Sequence, residues 1–199
     1  MYLNNKHYYN KMKKFNIDLY KNTRQQPSGA MNKDISKRKV NEQTIHIHNR
    51  SIGRAWANID SQKLLQLIQK NYGIYEVLST YPYKMYFDID GEPSNTNLKK
   101  IKKLISSVFP KPNFAISGYI SNKRASYHII LNNYIITSDE DLQIAKSIIK
   151  YFKSIDISFD DRVYTKNRNM KMINQSKIDG YIQSIILNNE INDHLITFF

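Results

Sequence analysis

The stretch "KMYFDIDGE" (Lys84–Glu92) carries two carboxylates, Asp88 and Asp90, two residues apart. Read as a strand, it turns Tyr86, Asp88 and Asp90 to one face and Met85, Phe87 and Ile89 to the other. Carboxylates side by side repel each other unless something positive lies between them. Further along, "SFDDRVYTKNRNMKMINQSK" (Ser158–Lys177) offers a third acid, Asp160 or Asp161, then Lys166, Arg168, Lys171 and Lys177. Acids so spaced bind hard divalent cations such as Mg²⁺ or Mn²⁺, roughly 3.5–4 Å apart in a two-metal site. The bases suit the phosphates of a nucleoside triphosphate, with Arg168 able to grip bidentately. Acids for metals and bases for phosphates are the parts that phosphoryl transfer uses.

Two other chemistries compete for Asp88 and Asp90. A calcium loop counted from Asp88 fails on spacing: Pro93 stands where the turn glycine belongs, and Lys99 where the bidentate Glu belongs. A haloacid-dehalogenase-like phosphatase places a DxDG-type pair after an apolar strand, with the first Asp as nucleophile. "FDIDG" fits that pattern, with "AISG" and "FDD" as its later motifs. Against it, Glu92 replaces the usual small or hydroxyl residue, and a hairpin interrupts the alternating β/α order. It also leaves "YHII" and "KNRNMK" without a role.

The chain has 199 residues and is 41% apolar, enough for one domain with a real core. No run approaches the roughly 18 apolar residues of a membrane-spanning helix, and "MYLNNKHYYNKMKKF" has no signal-peptide core. With no cysteine there is neither a disulfide framework nor a thiolate zinc site, so an intracellular protein is expected. The formal net charge of +13 points to a polyanionic partner, nucleic acid first. A Lys, Asn, Ile and Tyr bias, of the kind an AT-rich genome produces, also accounts for excess charge. Where the bases sit therefore matters more than their number.

The elements that must position these residues follow from periodicity. Residues 1–43 are polar, basic and rich in turn formers, and read as a loosely packed arm; its "KRK" at Lys37–Lys39 reads as a solvated run. "TIHIH" alternates as a strand. "DSQKLLQLIQKN" is a helix capped at Asp60 or Ser61, with Leu64, Leu65, Leu67 and Ile68 inward. "GIYEVLST" is a strand, and the acid-bearing strand follows it. "SNTNLKKIKKLISSVF" spaces Leu98, Ile101, Leu104, Ile105 and Val108 helically. "NFAISGYI" and "SYHIILNN" make a hairpin with the basic tip "SNKR". "TSDEDLQIAKSIIKYF" opens with a capping box, Thr137 to Glu140. A last strand, "RVYTKN" with "MKMIN", closes the series.

From residue 84 the order is β-α-β-β-α-β, a split βαβ arrangement with first and third strands as central neighbours. Both helices then cover one face of a four-stranded antiparallel sheet and leave the other open. Met85, Phe87, Ile89, Tyr127, Ile129 and Leu131 pack beneath the helices. Asp88, Asp90, Ser126 and His128 share the open face.

"YFDID", "SYH" and "FDDRVYTKNRNMKMINQSK", in that order, resemble the catalytic core of the archaeo-eukaryotic primase superfamily. The likeness is to its primase-polymerase branch, which includes eukaryotic and large-DNA-virus members. It covers about Gly73 to Lys177, and "VYTKNRN" is its most specific part. The resemblance implies an α+β fold, an RRM-like catalytic core with an N-terminal α/β layer. Residues 44–199 would be the catalytic domain: 44–83 the N-terminal layer, 84–177 the core and 178–199 a C-terminal packing segment. It further implies a DNA primase or primase-polymerase acting on a single-stranded DNA template and primer with NTPs or dNTPs. Asp88, Asp90 and Asp160 would hold Mg²⁺ or Mn²⁺. Ser126 and His128 would contact the incoming phosphates, with Arg124 near a position that is basic in relatives. Lys166, Arg168, Asn169, Lys171 and Lys177 would complete the triphosphate pocket, and Tyr75 would lie by the sugar. A replicative helicase and a zinc-binding module, found in many relatives, are implied partners in cis or in trans; a membrane is not. The implied place of action is the site of DNA replication, whether cytoplasm, virus factory or nucleus.

Other residues have plainer readings. His46 and His48 fit strand packing better than metal binding, and Asp161 fits a solvated neighbour of Asp160. Trp56 is most simply a core or edge aromatic, although with Arg54 it can stack on a template base. A non-catalytic RRM-like module is the remaining alternative, but such modules display aromatics rather than acids on the open face.

Overall fold

Among the described residues, nine strands and three helices are arranged as two antiparallel sheets, each with its own apolar core. The computed structural model describes residues 20–21, 42–49, 53–70, 72–78, 82–93, 96–155, 157–165, 168–176 and 181–197. Most of the predicted arm, with "KRK", lies outside these residues, as do Lys166 and Lys177. Among the described residues, no helix is long and apolar enough to cross a membrane.

The first sheet runs β1-β3-β2-β4-β8, comprising β1 (Tyr20–Lys21), β2 (Glu42–Asn49), β3 (Gly53–Asp60), β4 (Ile74–Leu78) and β8 (Arg168–Lys171). Helix α1 (Ser61–Ile68) starts at Asp60, whose carboxylate accepts from the N–H groups of Gln62 and Lys63, a capping exchange for two orphan donors. Its Leu64, Leu67 and Ile68 are buried against Ile45, Ile47 and Ile74, while Leu65 is only partly covered.

The second sheet runs β5-β7-β6-β9, comprising β5 (Tyr83–Gly91), β7 (Ala125–Ile136), β6 (Phe114–Ile120) and β9 (Ser184–Leu187). Helices α2 (Leu98–Val108) and α3 (Asp139–Ser154) supply Ile101, Ile105, Ala145, Ile149 and Phe152 to its core. Alternation on β5 holds as expected: Met85, Phe87 and Ile89 are buried there with Tyr127, Ile129 and Leu131 of β7. Phe87 is the hub, its ring 5.6–6.0 Å from those of Phe109, Phe152 and Phe159.

Four expectations are corrected. "RVYTKN" is not the last strand of this sheet: Asp161–Tyr164 is a 3₁₀ turn, and Arg168–Lys171 leaves to pair with β4 of the other sheet. The fourth place is taken by β9, on the far edge beside β6, so β5 is an edge strand rather than a central one. The face away from the helices is also not wholly open. Tyr86, Ile130 and Ser117 are buried, and Ile185 of β9 packs toward the first sheet's core. Only the end of the sheet near Asp88 and Asp90 stays accessible. Finally, the cap of α3 is Ser138, not Thr137: Ser138 accepts from the Asp141 N–H, and Asp141 reaches back to the Thr137 N–H and hydroxyl.

Candidate active site

The site begins with Phe159. Its ring is buried in the core with Phe87 and Phe152, so its neighbours Ser158 and Asp160 must face the other way. This short segment bonds along the outer edge of β5. The Asp160 N–H donates to the Asp88 carbonyl at 2.8 Å, and the Asp90 N–H to the Ser158 carbonyl at 3.3 Å, around an antiparallel bridge between Ile89 and Phe159. The Ser158 hydroxyl also donates to the Asp90 carbonyl at 2.7 Å. The third acid is thereby set beside the first.

Inside the sheet, Asp88 lies opposite His128, and His128 opposite Ser117; Asp90 lies opposite Ser126, and Ser126 opposite Tyr119. Two parallel rows result, Asp160–Asp88–His128–Ser117 and Ser158–Asp90–Ser126–Tyr119. They run inward from the accessible end of the sheet to Ser117 and Ser126, both buried, and the two acids, serine and histidine expected on one face do share it. Gly118, between Ser117 and Tyr119, permits the close approach of β6 and β7: a Cβ there would lie 2.2 Å from the Ser126 carbonyl oxygen.

Asp90 and Asp160 each have a guanidinium partner, and Asp88 has an imidazole neighbour. Arg124, at the tip of the β6–β7 hairpin, grips Asp90 with two nitrogens, Nε at 2.6 Å from Oδ1 and Nη2 on Oδ2. Arg162 binds Asp160 through Nε at 3.0 Å and Nη2 at 3.4 Å, its backbone N–H adds a third bond, and Arg168 Nη2 is 3.6 Å away. His128 Nε2 lies 3.7 Å from Asp88 Oδ1. Burial pushes the Asp160 carboxyl up, but the Arg162 bonds and the charge of Arg168 outweigh it and hold the group below the usual carboxylate range. Among the described residues no three carboxylate or imidazole groups converge to enclose an ion. The partners gathered around the acids are guanidinium groups and an imidazole.

Two tyrosines to which the sequence assigns no site role fix this geometry. The Tyr86 hydroxyl donates to the Val163 carbonyl at 2.6 Å, and the Tyr164 hydroxyl to the Tyr86 carbonyl. Both rings are buried, and they tie the turn carrying Asp160 and Arg162 to the strand carrying Asp88. Arg162 was also overlooked, although an Asp capping a turn with an Arg two residues later was there to be read. Asp161 instead pairs with Lys153 of α3 at 2.9 Å and stands outside the row.

The remaining expected residues divide. Register puts Arg168 on the face of β8 shared with Leu78, and Asn169 and Lys171 on the opposite face, across from Val77 and Tyr75. The single strand therefore does not present Arg168, Asn169 and Lys171 together. Tyr75 belongs to a row with His46 and Trp56, whose rings stack at 4.7 Å and 21°. Arg54 occupies β3 two residues before Trp56. No family model matches the chain, and no curated protein matches its sequence.

Proposed function

We propose that the chain is the catalytic domain of a template-directed primase-polymerase, joining nucleotides on single-stranded DNA in replication. One observation carries the reading. Asp160, reached through some seventy residues of intervening chain, is bonded by its backbone beside Asp88, in line with His128. The resemblance of "YFDID", "SYH" and "VYTKNRN" to archaeo-eukaryotic primases assigns a role to each member of that line.

The donor set suits a hard divalent cation, because Asp88, Asp90 and Asp160 offer carboxylate oxygens only. To hold one, Asp90 must release Arg124 and Asp160 must release Arg162. Both arginines are on the rim, with side chains 46% and 79% exposed, so rotamer changes suffice. Bound there, Mg²⁺ or Mn²⁺ would lower the pKa of an attacking 3′-hydroxyl and neutralise charge at the triphosphate. His128 and Ser126, next in the rows, would receive the phosphates, with Arg124 and Arg168 gripping them. The Arg168 Nε, buried and without a hydrogen-bond partner among the described residues, is a donor suited to that contact. The 3′-hydroxyl oxygen bonds to the α-phosphorus, and pyrophosphate leaves; no side chain acts as nucleophile.

A second reading has its own support. Asp90 and Asp160 are already matched by guanidinium cations and Asp88 lies beside His128, as in a nucleic-acid-binding module that performs no chemistry. The phosphatase reading is weakened by the antiparallel pairing of β5 with β7, since alternating β/α order builds parallel sheets. Incubation with single-stranded template, NTPs or dNTPs and Mg²⁺ or Mn²⁺, with and without primer, tests the proposal. Template-complementary product supports it. Binding of template without product favours the second reading, and release of phosphate from a small phosphomonoester revives the third.

A further inference from the structure

We propose that the stacked pair Tyr119–Tyr181 is a base-stacking platform that holds a nucleotide of single-stranded DNA two strands away from Asp90. This rests on the reading above for the identity of the strand. Tyr119 lies opposite Ser126, which lies opposite Asp90, so all three share the accessible face. At about 4.8 Å per strand, the Tyr119 backbone is roughly 10 Å from that of Asp90.

The Tyr181 ring lies over that of Tyr119 at 4.4 Å and 10°. Rings in the core around Phe87 meet at 38–75° instead, as edge-to-face packing prefers. Tyr181 is 50% exposed, so the stack reaches the surface. A parallel stack at the surface can be extended by one more flat ring. A base supplies it whatever its identity, but only from a strand whose bases are not already paired. The exposed hairpin tip beside this row carries Lys123 next to Arg124, which is paired with Asp90, so Lys123 places positive charge where the strand's phosphates would run. The charge and the stack select the same occupant, a single-stranded polyanion with aromatic bases.

Binding of a fluorescent oligothymidylate of about fifteen nucleotides, read by anisotropy without added metal, tests this. Tyr181→Ala should weaken binding by about five- to a hundredfold, the range for one lost base stack, and leave duplex binding unchanged. Tyr181→Phe, which keeps the ring, and Tyr151→Ala, which removes an exposed tyrosine from α3, should bind within twofold of wild type. Tyr181→Leu, apolar but not flat, should behave as Tyr181→Ala and guards against a folding defect. Single-strand binding of Tyr181→Ala within twofold of wild type overturns the platform, as does an equal loss on duplex. Wild-type protein that binds the oligonucleotide but makes no product leaves the platform intact and removes the polymerase. Product formation with Tyr181→Ala binding unchanged does the reverse. Wild type that does not bind the oligonucleotide overturns the platform.

Discussion

The Asp160 carboxyl is pulled in two directions, by burial that favours its neutral form and by Arg162 that favours its charge. Arg162 wins, and the folded-state pKa lies below that of the unfolded chain. The sign of the linkage follows: the pair stabilises the fold above the unfolded carboxylate range and loses that effect as pH falls through the depressed value. In Arg162→Ala the Asp160 titration, followed by carboxyl carbon shifts, should move upward toward an ordinary aspartate. A titration unchanged from wild type would mean that Arg162 does not set it. Asp88 and Asp90 are legible in the sequence because strand alternation and the i, i+2 spacing need only local information. The arginine that grips Asp90 is not. Arg124 reaches Asp90 only because the β6–β7 register places the hairpin tip there, and register is a property of paired strands.

The segment Ser158–Asp160 is too short to register as a strand, yet it delivers the third acid. Its hold on the sheet is Phe159, buried against Phe87 and Phe152, together with the two backbone bonds to β5. Phe159→Ala should cost about 3–5 kcal/mol in denaturant unfolding, the usual range for a buried phenylalanine, and should reduce activity of the folded fraction as well. Full specific activity in the folded protein would show that the site does not depend on this anchor. The three helices were readable because their apolar spacing and caps are local, although the first ends at Ile68 rather than running to Asn71. The α3 cap slipped by one because Thr137 and Ser138 are both competent, and Asp141 rather than Glu140 completes the box. The final strand went astray for a different reason. Alternation in "RNMK" marks an extended segment but does not say which sheet it joins. Pairing with β4 then parts Arg168 from Asn169 and Lys171.

Two sheets make one molecule here largely through the C-terminal segment. Glu76 of β4, fully buried, accepts from the N–H groups of Ile196 and Thr197 and from the Thr197 hydroxyl, at 2.8–3.0 Å. The Ile196 carbonyl accepts from the Lys84 N–H of β5 at 2.8 Å, and its side chain enters the second core. Burial pushes the Glu76 carboxyl up, against the opposing pull of these bonds. Its contribution to stability therefore falls as pH rises from the unfolded glutamate range through the raised folded value, opposite in sign to Asp160. Glu76→Ala leaves buried N–H donors and Lys84 uncompensated, and should cost about 2–4 kcal/mol, lowering Tm by roughly 4–16 °C in a chain of this size. A Tm within a degree of wild type would contradict the clamp. None of this was visible in the sequence, where Glu76 is an acid in an apolar strand and its partners lie some 120 residues away.

The most direct measurement compares wild type with Asp88→Asn in extension of a primed single-stranded DNA template with Mn²⁺ and all four dNTPs or NTPs. Asn keeps the shape and removes one carboxylate charge that the proposal assigns to the metal. Wild type should extend the primer by the complement of the template, and Asp88→Asn should be slower by about a thousandfold or more, as for losing several kcal/mol of charge stabilisation. No extension by folded wild type, or extension by Asp88→Asn at the wild-type rate, would contradict the assignment of Asp88, Asp90 and Asp160 to nucleotidyl transfer.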